Sequence, residues 1–260
     1  MSVSDELIVE RGDGVLRLVI NRPDRRNALT NRLMTQMTEA FAAVAGDRSL
    51  RLIVLTGAGD KAFCAGADLK DADSPFQSDF SRYRMPFADL LRAGRACDVP
   101  ILGVMNGACF AGGMGLFGLC DIVIAADHAK FGLPEVKVGV YPMQVLAVLR
   151  DLIPRRILAE MCITGEPLTA AEALACGIVN KVVPAAELDA AAAGLIDRIR
   201  AVSPMAVRRG KYAVRTMEAM DFEQMIAFGE TQVTPMAFTE DAKEGRAAFT
   251  ERRAPHWPNC

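Results

Sequence analysis

Two glycine-rich segments offer backbone N–H groups that a ligand could reach without side-chain obstruction. The first, residues 62–69, reads Ala-Phe-Cys-Ala-Gly-Ala-Asp-Leu, and the second, residues 106–115, reads Asn-Gly-Ala-Cys-Phe-Ala-Gly-Gly-Met-Gly. The second follows a strand-like run and leads into a helical pattern, and the first N–H groups of a helix lack intrahelical acceptors. Each segment alone also fits a tight strand-to-helix connection without a ligand. The pair predicts backbone binding of a polar or anionic group.

Other common catalytic patterns are absent from the sequence. Neither segment has the Gly-x-Gly-x-x-Gly spacing and acidic partner of a dinucleotide site, and no Gly-Lys-Ser/Thr or Gly-x-Ser-x-Gly occurs. The two histidines, His128 and His256, have no Cys/His spacing typical of zinc proteins. We expect no metal site, no nucleotide hydrolysis and no serine-hydrolase chemistry.

The elements that must position these segments have an α/β pattern. Thr30 or Asn31 can cap a helix, because apolar residues recur behind them at spacings of three and four. Strand-like runs cover 15–20, 52–55, 100–105, 122–125 and 178–183. After residue 170 the pattern becomes mainly helical, with candidates at 170–176, 187–201, 205–217 and 241–252. The sequence therefore predicts a layered α/β core followed by a helical section.

Composition excludes several function classes. The chain has 260 residues, 51% of them apolar, and its 30 Lys plus Arg against 32 Asp plus Glu give a net charge of −2. Such a balance gives no general attraction to nucleic acid or to an acidic membrane. Residues 99–120 carry no charge over 22 positions, but proline and glycines inside the run favour a buried strand, turn and helix start over a membrane span.

The cellular location of the protein can be predicted from its seven cysteines and its acidic N-terminal stretch. The count is odd and no Cys-x-x-Cys pair occurs, which is typical of reduced thiols. Asp5, Glu6 and Glu10 stand where a secretory signal would be apolar. We expect a cytoplasmic protein.

Six segments in order make the chain resemble the enoyl-CoA hydratase/isomerase family, also called the crotonase family. Two of them overlap the glycine-rich segments and cover residues 62–69 and 108–121. The other four are Asn-Arg-Pro-Asp-Arg-Arg-Asn-Ala-Leu, Phe-Gly-Leu-Pro-Glu, Thr-Gly-Glu-Pro-Leu-Thr and Gly-Ile-Val-Asn-Lys-Val-Val-Pro. They begin at positions 21, 131, 164 and 177. The resemblance covers nearly the whole chain.

This resemblance implies a fold and an assembly. The fold class would be α/β, with a spiral core of ββα units over residues 1–184 and a helical trimerisation section of the same fold over 185–260. The expected assembly is a homotrimer or a hexamer made of two trimers. The substrate would be an acyl-CoA or enoyl-CoA thioester, with coenzyme A entering as part of the substrate and no prosthetic group.

The resemblance also assigns binding roles. Family members hold the thioester oxygen of an enolate with two backbone N–H groups, and Ala67 and Gly112 stand at those positions. Preorganised donors of this kind are each worth roughly 3 kcal/mol in the transition state. The same carry-over gives candidates for coenzyme A: Arg26, Ala28, Ala65, Asp68, Leu69 and Lys70. Among them, the Ala65 carbonyl would meet the adenine, and Arg26 and Lys70 the phosphates.

The acid–base residues distinguish the reactions of the family. Its hydratases use two glutamates, of which the second corresponds to Glu135 here, whereas Gly115 stands at the position of the first. Losing one acid–base group typically costs about 10²–10⁴-fold in rate. Family isomerases that move a double bond from position 3 to position 2 use one glutamate at the Glu135 position. We therefore expect an isomerase, with Met114, Leu116 and Phe117 keeping the site apolar.

Three alternatives stay open. A hydratase could borrow a carboxylate from Asp68, Asp71 or Asp73, or the protein could bind acyl-CoA without turnover. RNA binding, a second role of some family members, finds no basic, aromatic-interleaved helix here. A further departure from the hydratases at 141–146, Tyr-Pro-Met-Gln-Val-Leu, is expected to reshape the acyl end of the pocket.

Overall fold

The computed structural model describes residues 5–69 and 85–258. Its strands are β1 (Leu7–Gly12), β2 (Val15–Ile20), β3 (Leu52–Gly57), β4 (Ala62–Cys64), β5 (Ile101–Met105), β6 (Ala108–Phe110), β7 (Ile122–Ala126), β8 (Lys130–Gly132), β9 (Leu168–Thr169) and β10 (Lys181–Val183).

Helices follow or separate these strands. They are α1 (Asn31–Ala43), α2 (Pro86–Ala96), α3 (Gly112–Phe117), α4 (Leu146–Leu149), α5 (Arg155–Thr164), α6 (Ala170–Ala175), α7 (Leu188–Arg200), α8 (Pro204–Met217), α9 (Phe222–Ala237) and α10 (Glu240–Glu251). Thr30 is the N-cap of α1, since its Oγ1 accepts a hydrogen bond from the Leu33 N–H at 3.0 Å.

The larger sheet has an apolar layer on each face. Its strand order is β1-β2-β3-β5-β7-β10, with β1 and β2 antiparallel and the other neighbours parallel. All six residues of β3 are buried, and they alternate: Ile53 and Leu55 join the main core, whereas Leu52 and Val54 pack with residues of α7. Burial on both faces explains the continuous apolar run of this strand.

A smaller sheet and short helices repeat along the chain. β4, β6, β8 and β9 form the second sheet in that order. Each of β3, β5 and β7 is followed by one of these short strands, and α2 and α3 complete the first two units. The expected α/β fold of ββα units is confirmed.

Residues 99–120, the long uncharged run, form β5, β6 and α3. No helix in the described part of the chain is long and apolar enough to cross a membrane.

One predicted strand begins later in the structure, and one helix of the structure was not predicted. The strand expected over 178–183 begins only at Lys181, because Gly177 has φ +81° after α6 and the Asn180 side chain accepts a hydrogen bond from the Val123 N–H at 2.8 Å. Helix α9 was not predicted, although Asp221 and Gln224 form a capping box at its start. The other predicted helices match α6, α7, α8 and α10 within a residue.

The boundary proposed at residue 184 remains a prediction. Leu188 and Ala192 of α7 pack against the larger sheet in the same apolar layer as Leu52 and Val54. Helices α8 to α10 continue from there, and Asp241 at the start of α10 accepts hydrogen bonds from the Ser203 hydroxyl at 2.5 Å and the Met205 N–H at 3.2 Å.

Candidate active site

A single β-bridge orients the first glycine-rich turn. Leu29 pairs with Ala67 in parallel, with the Leu29 N–H donating to the Gly66 carbonyl at 2.8 Å and the Asp68 N–H donating to the Leu29 carbonyl at 2.9 Å. In a parallel bridge of this kind the N–H of the central residue, here Ala67, points away from the partner strand. Ala67 lines a cleft on that other side.

The second turn presents the start of α3 to the same cleft. Gly112 is the first residue of α3, so its N–H has no acceptor within the helix. The preceding Ala111 has φ +50° and ψ −118°, an unusual conformation for a residue with a Cβ, and its N–H donates to the Gly132 carbonyl at 3.0 Å. Such local strain is held by surrounding structure and concentrates at functional sites.

The two turns approach so closely that only glycine fits between them. A Cβ at Gly66, which has φ +94°, would lie 2.7 Å from the Ala111 Cβ, and one at Gly113 would lie 2.3 Å from the Cys64 carbonyl oxygen. Both distances are far below an ordinary van der Waals contact. The absence of these two Cβ atoms therefore brings Ala67 and Gly112 into one cleft.

Glu135 lies in that cleft as well. It belongs to a 3-10 turn, Pro134–Val138, directly after β8, and it is half-buried. Its Oε2 is buried, and none of the described residues gives it a hydrogen bond. Burial raises the pKa of the Glu135 carboxyl, and a hydrogen bond at its own backbone opposes the rise. A carboxylate with one oxygen unsatisfied and a raised pKa is suited to accept a proton.

The cleft has a volume of about 310 Å³ and mostly apolar walls. Leu29 and Met34 line one part, and Phe87, Val140 and Val145 line another. An apolar cleft with a few convergent polar groups is the usual form of a small-molecule site.

The position of Gly115 is enclosed by apolar side chains. A Cβ there would lie 2.7 Å from Phe87 Cζ, 3.1 Å from Val145 Cγ1 and 3.3 Å from Leu91 Cδ2. No room is left for a carboxylate at this position unless these side chains move.

The apolar residues expected to line the site are elsewhere. Met114, Leu116 and Phe117 are fully buried in the main core and do not line the cleft, because α3 turns these side chains away from it. Their expected role in the cleft is therefore corrected: Phe87 and Val145 take it. Tyr141 to Val145, the segment that departs from the hydratase pattern, lies in the wall.

Sequence reasoning missed Phe87 because the pattern gives no sign that the start of α2 packs over α3. The sequence also gave no role to Tyr141, whose phenol lies beside the Cys162 thiol, and this contact raises the pKa of the phenol. Cys162 is buried and lies close enough to Glu135 for the carboxylate to raise the pKa of the thiol, which is raised mainly by burial.

The candidates for coenzyme A fall into two groups. Arg26 and Leu69 are exposed and Ala65 is half-buried, with the Ala65 N–H donating to the Arg26 carbonyl at 3.0 Å. Ala28 and Asp68 are buried, and both bond to Arg22. The remaining candidate, Lys70, lies outside the described residues, as do the alternative carboxylates at 71 and 73.

Arg22 ties these buried groups together. Its guanidinium donates to the Ala28 carbonyl at 2.6 Å, to Asp68 Oδ2 at 3.0 Å and to Glu6 Oε1 at 2.9 Å, and its side chain is only 10% exposed. Asp68 is thus held in an ion pair and does not line the cleft. Arg22 belongs to the Asn-Arg-Pro motif noted in the sequence, but the spacing of residues alone does not predict which groups it pairs with.

The described residues contain no cluster of metal-binding side chains. Within residues 5–69 and 85–258, no group of three or more His, Cys, Asp and Glu side chains could hold a metal ion. His128 is partly exposed and lies 3.0 Å from the Asp60 carbonyl oxygen through Nε2.

Known proteins are similar to this chain over nearly their full length. A family model described as Enoyl-CoA hydratase/isomerase matches residues 10–259. Enoyl-CoA hydratase EchA19 of Mycobacterium tuberculosis is 37% identical over 259 residues, covering 98% of this chain and 97% of that protein. Carnitinyl-CoA dehydratase of Salmonella arizonae is 37% identical over 261 residues, covering 98% and 99%.

A solved structure gives the same result for the fold. The crystal structure of an enoyl-CoA hydratase from Mycobacterium smegmatis superimposes with a TM-score of 0.91 at 31% identity, covering 98% of this chain and 99% of that one.

Proposed function

Because this chain belongs to the enoyl-CoA hydratase/isomerase family, we propose that it isomerises a 3-enoyl-CoA thioester to the conjugated 2-enoyl-CoA with Glu135 as its one base. The observation that carries this proposal is the packing around Gly115. Phe87, Val145 and Leu91 fill the space there, so Glu135 is left as the carboxylate of the described cleft.

The first step would be removal of a proton from the α-carbon. Glu135 takes the proton, and the electron pair moves onto the thioester oxygen to give a dienolate. The N–H groups of Ala67 and Gly112 donate hydrogen bonds to that oxygen, and their positions are set before the substrate arrives.

The second step returns the same proton to the γ-carbon. The double bond then lies between the α- and β-carbons, and Glu135 is again a carboxylate, so atoms and charge balance. The raised pKa of Glu135 supports both steps. It brings the pKa of the carboxyl closer to that of the substrate carbon than the pKa of an exposed glutamate would be. The apolar walls support retention of the proton.

Coenzyme A would bind at the rim formed by the first glycine-rich turn. We propose that Arg26, Ala65 and Leu69, which are accessible there, contact it directly, with Lys70 as a further candidate. Ala28 and Asp68 would act by holding this rim through Arg22. The thioester substrate is the only carrier of coenzyme A, and no prosthetic group is proposed.

Hydration or dehydration is the second candidate function. It is favoured by the names of the relatives, an enoyl-CoA hydratase and a carnitinyl-CoA dehydratase. In this structure Asp68 is paired with Arg22, so a second acid would have to come from another group.

The test offers the purified protein a 3-enoyl-CoA and, separately, a 2-enoyl-CoA, and follows the absorbance of the conjugated thioester. The proposal predicts a gain from the first substrate and little loss from the second. A rapid loss of absorbance from the second substrate would favour the hydratase. If both substrates bind and the absorbance does not change, the protein is an acyl-CoA binder without turnover.

A variant identifies the base. E135Q should lower the isomerisation rate by about 10²–10⁴-fold, while E160Q, at an exposed glutamate of α5, should leave it unchanged. Isomerisation that survives E135Q at the wild-type rate refutes the assignment.

A cytoplasmic location is proposed from the thiols. The six cysteines in the described part of the chain are free, as is typical of proteins in a reducing compartment. Fractionation of the source cells tests this proposal, and recovery of the protein from an oxidising compartment contradicts it.

A further inference from the structure

Phe87 spans the first turn of α3 from the oxyanion donor to the position of the missing glutamate. It is the second residue of α2, it is partly buried, and its side chain lines the cleft. A Cβ at Gly112 would lie 3.6 Å from both Cε2 and Cζ of the ring, and one at Gly115 only 2.7 Å from Cζ. The end of the ring therefore lies directly against this face of the helix.

The ring occupies space that water would need. A buried water usually makes two to four hydrogen bonds to polar partners. The three described atoms nearest to a Cβ at Gly115 belong to the side chains of Phe87, Val145 and Leu91, which offer no hydrogen bond. A smaller residue at 87 would open a space that connects to the cleft holding Glu135, whose unsatisfied Oε2 could hold a water.

We propose that Phe87 determines the reaction outcome: its ring keeps water away from the β-carbon, so that the dienolate is reprotonated at the γ-carbon and the 2-enoyl product leaves without being hydrated. This inference rests on the proposed isomerase function. Hydration would add a water oxygen to the β-carbon and a proton to the α-carbon, and it needs a water within reach of Glu135. Phe87 is thus a specificity-determining residue of the cleft.

The test compares the ratio of hydration to isomerisation in four proteins. Wild type, F87A, F87L and F228A are each given the 3-enoyl-CoA, and the 2-enoyl and 3-hydroxyacyl products are separated and quantified over time. F228A is the matched control, since Phe228 is a half-buried phenylalanine of α9 that packs with Tyr212. Thermal unfolding of each variant confirms that it is folded.

F87A should raise the ratio of hydration to isomerisation by about tenfold or more, because an added water gains access to the product. F87L, which keeps an apolar side chain of similar reach, should restore a ratio close to that of wild type. F228A should leave the ratio unchanged. A ratio is the chosen measure because a general loss of structure lowers both rates together.

Two results would overturn the inference, and they are distinguishable. If wild type isomerises and F87A lowers both rates with an unchanged ratio, Phe87 has only a packing role. If wild type hydrates the 2-enoyl-CoA faster than it isomerises the 3-enoyl-CoA, the proposed function fails and the inference fails with it. Should F87A be unfolded, F87V, whose side chain is shorter than that of F87L, takes its place: a raised ratio of hydration to isomerisation supports the inference, and an unchanged ratio contradicts it.

Discussion

At the scale of single residues, the proposed chemistry rests on Glu135 and Gly115, whose surroundings are opposite in character. Glu135 is a carboxyl with one oxygen buried and unpaired among the described residues. Gly115 has no side chain, and apolar neighbours occupy its surroundings. Among the described residues they leave Glu135 as the one carboxylate that lines this cleft, which is enough for the proposed isomerisation and one too few for a two-acid hydration.

The raised pKa of Glu135 predicts a pH dependence. Only the ionised carboxylate can take the α-proton, and burial raises its pKa above the ordinary value of 4.5. The value of kcat/KM should therefore fall as the pH drops through the raised pKa, at a higher pH than an exposed glutamate would cause. A pH profile of isomerisation measures this.

The raised pKa of Glu135 also makes the stability of the fold depend on pH, in the direction opposite to that of the activity. When the pKa of a carboxyl is higher in the folded protein than in the unfolded chain, the protonated group favours the folded state. This stabilisation is complete at a pH below the unfolded pKa, and it is lost as the pH rises through the folded pKa. E135Q should thus be at least as stable as wild type at pH 7 in thermal unfolding. For the activity, a pH profile of kcat/KM that falls only near the pKa of an exposed glutamate would contradict the raised pKa of Glu135.

At the scale of elements, close packing of two turns positions Ala67 and Gly112, the proposed oxyanion donors. Gly66 and Ala111 are in contact, and both have positive φ. The β-bridge to Leu29 fixes one turn, and α3 fixes the other. The site is therefore built on main chain held from both sides.

Substituting Gly66 should damage the site more than the fold. In G66A the new Cβ would meet the Ala111 Cβ, so the turns must separate and the Ala67 N–H must shift. We expect isomerisation to fall by about 10²-fold, the loss typical of one oxyanion donor. Steady-state kinetics measure the fall.

A matched control separates backbone strain from this collision. Gly46 also has positive φ, at +76°, but a Cβ there would meet nothing within 4 Å. G46A should cost about 1–2 kcal/mol of stability from strain alone and leave kcat unchanged. Equal activity of G66A and wild type would show that the close approach of the turns is not needed.

Arg22 predicts an effect on stability at the same scale. R22M would remove the Arg22 guanidinium from Asp68, which is 6% exposed, and from Glu6, and breaking a buried pair costs about 3–5 kcal/mol. R92M is the control, because its pair with Asp89 is largely exposed and should be worth about 0–1 kcal/mol. Urea unfolding compares them, and equal losses would contradict the structural role of Arg22.

The sequence correctly predicts the elements that are determined by residues close together in the chain. Thr30 caps α1 as a hydroxyl at an N-cap should, and the fully apolar β3 is a strand buried on both faces. It placed Ala67, Gly112 and Glu135 from family motifs, and the structure brings all three to one cleft. It could not place Phe87 or Arg22, because Phe87 packs against α3, a helix distant in sequence, and Arg22 pairs with Asp68, which is 46 positions away. It also assigned Met114 to the wrong face of a short helix.

At the scale of the whole molecule, the C-terminal helices raise the question of assembly. Helix α9 has no buried residue, and several of its large apolar side chains are more than 45% exposed: Phe222, Ile226 and Val233. Exposed apolar patches of this kind mark surfaces that associate. They support the predicted homotrimer or hexamer.

Light scattering after size-exclusion chromatography tests the assembly. We predict a particle about three or six times the 28.0 kDa mass of the chain. The double substitution I226E and V233E should reduce its mass, because charges would be buried at the interface. A 28.0 kDa particle in wild type would contradict the prediction.

If Glu135 moves one proton between two carbons within an apolar cleft, as proposed, a deuterium label on that proton should move with it. The protein is given a 3-enoyl-CoA carrying deuterium at the α-carbon, and the 2-enoyl product is examined by NMR for deuterium at the γ-carbon. The account predicts deuterium at the γ-carbon with wild type and loss of this product with E135Q. Product without deuterium at the γ-carbon, formed at the same rate by E135Q, would contradict it.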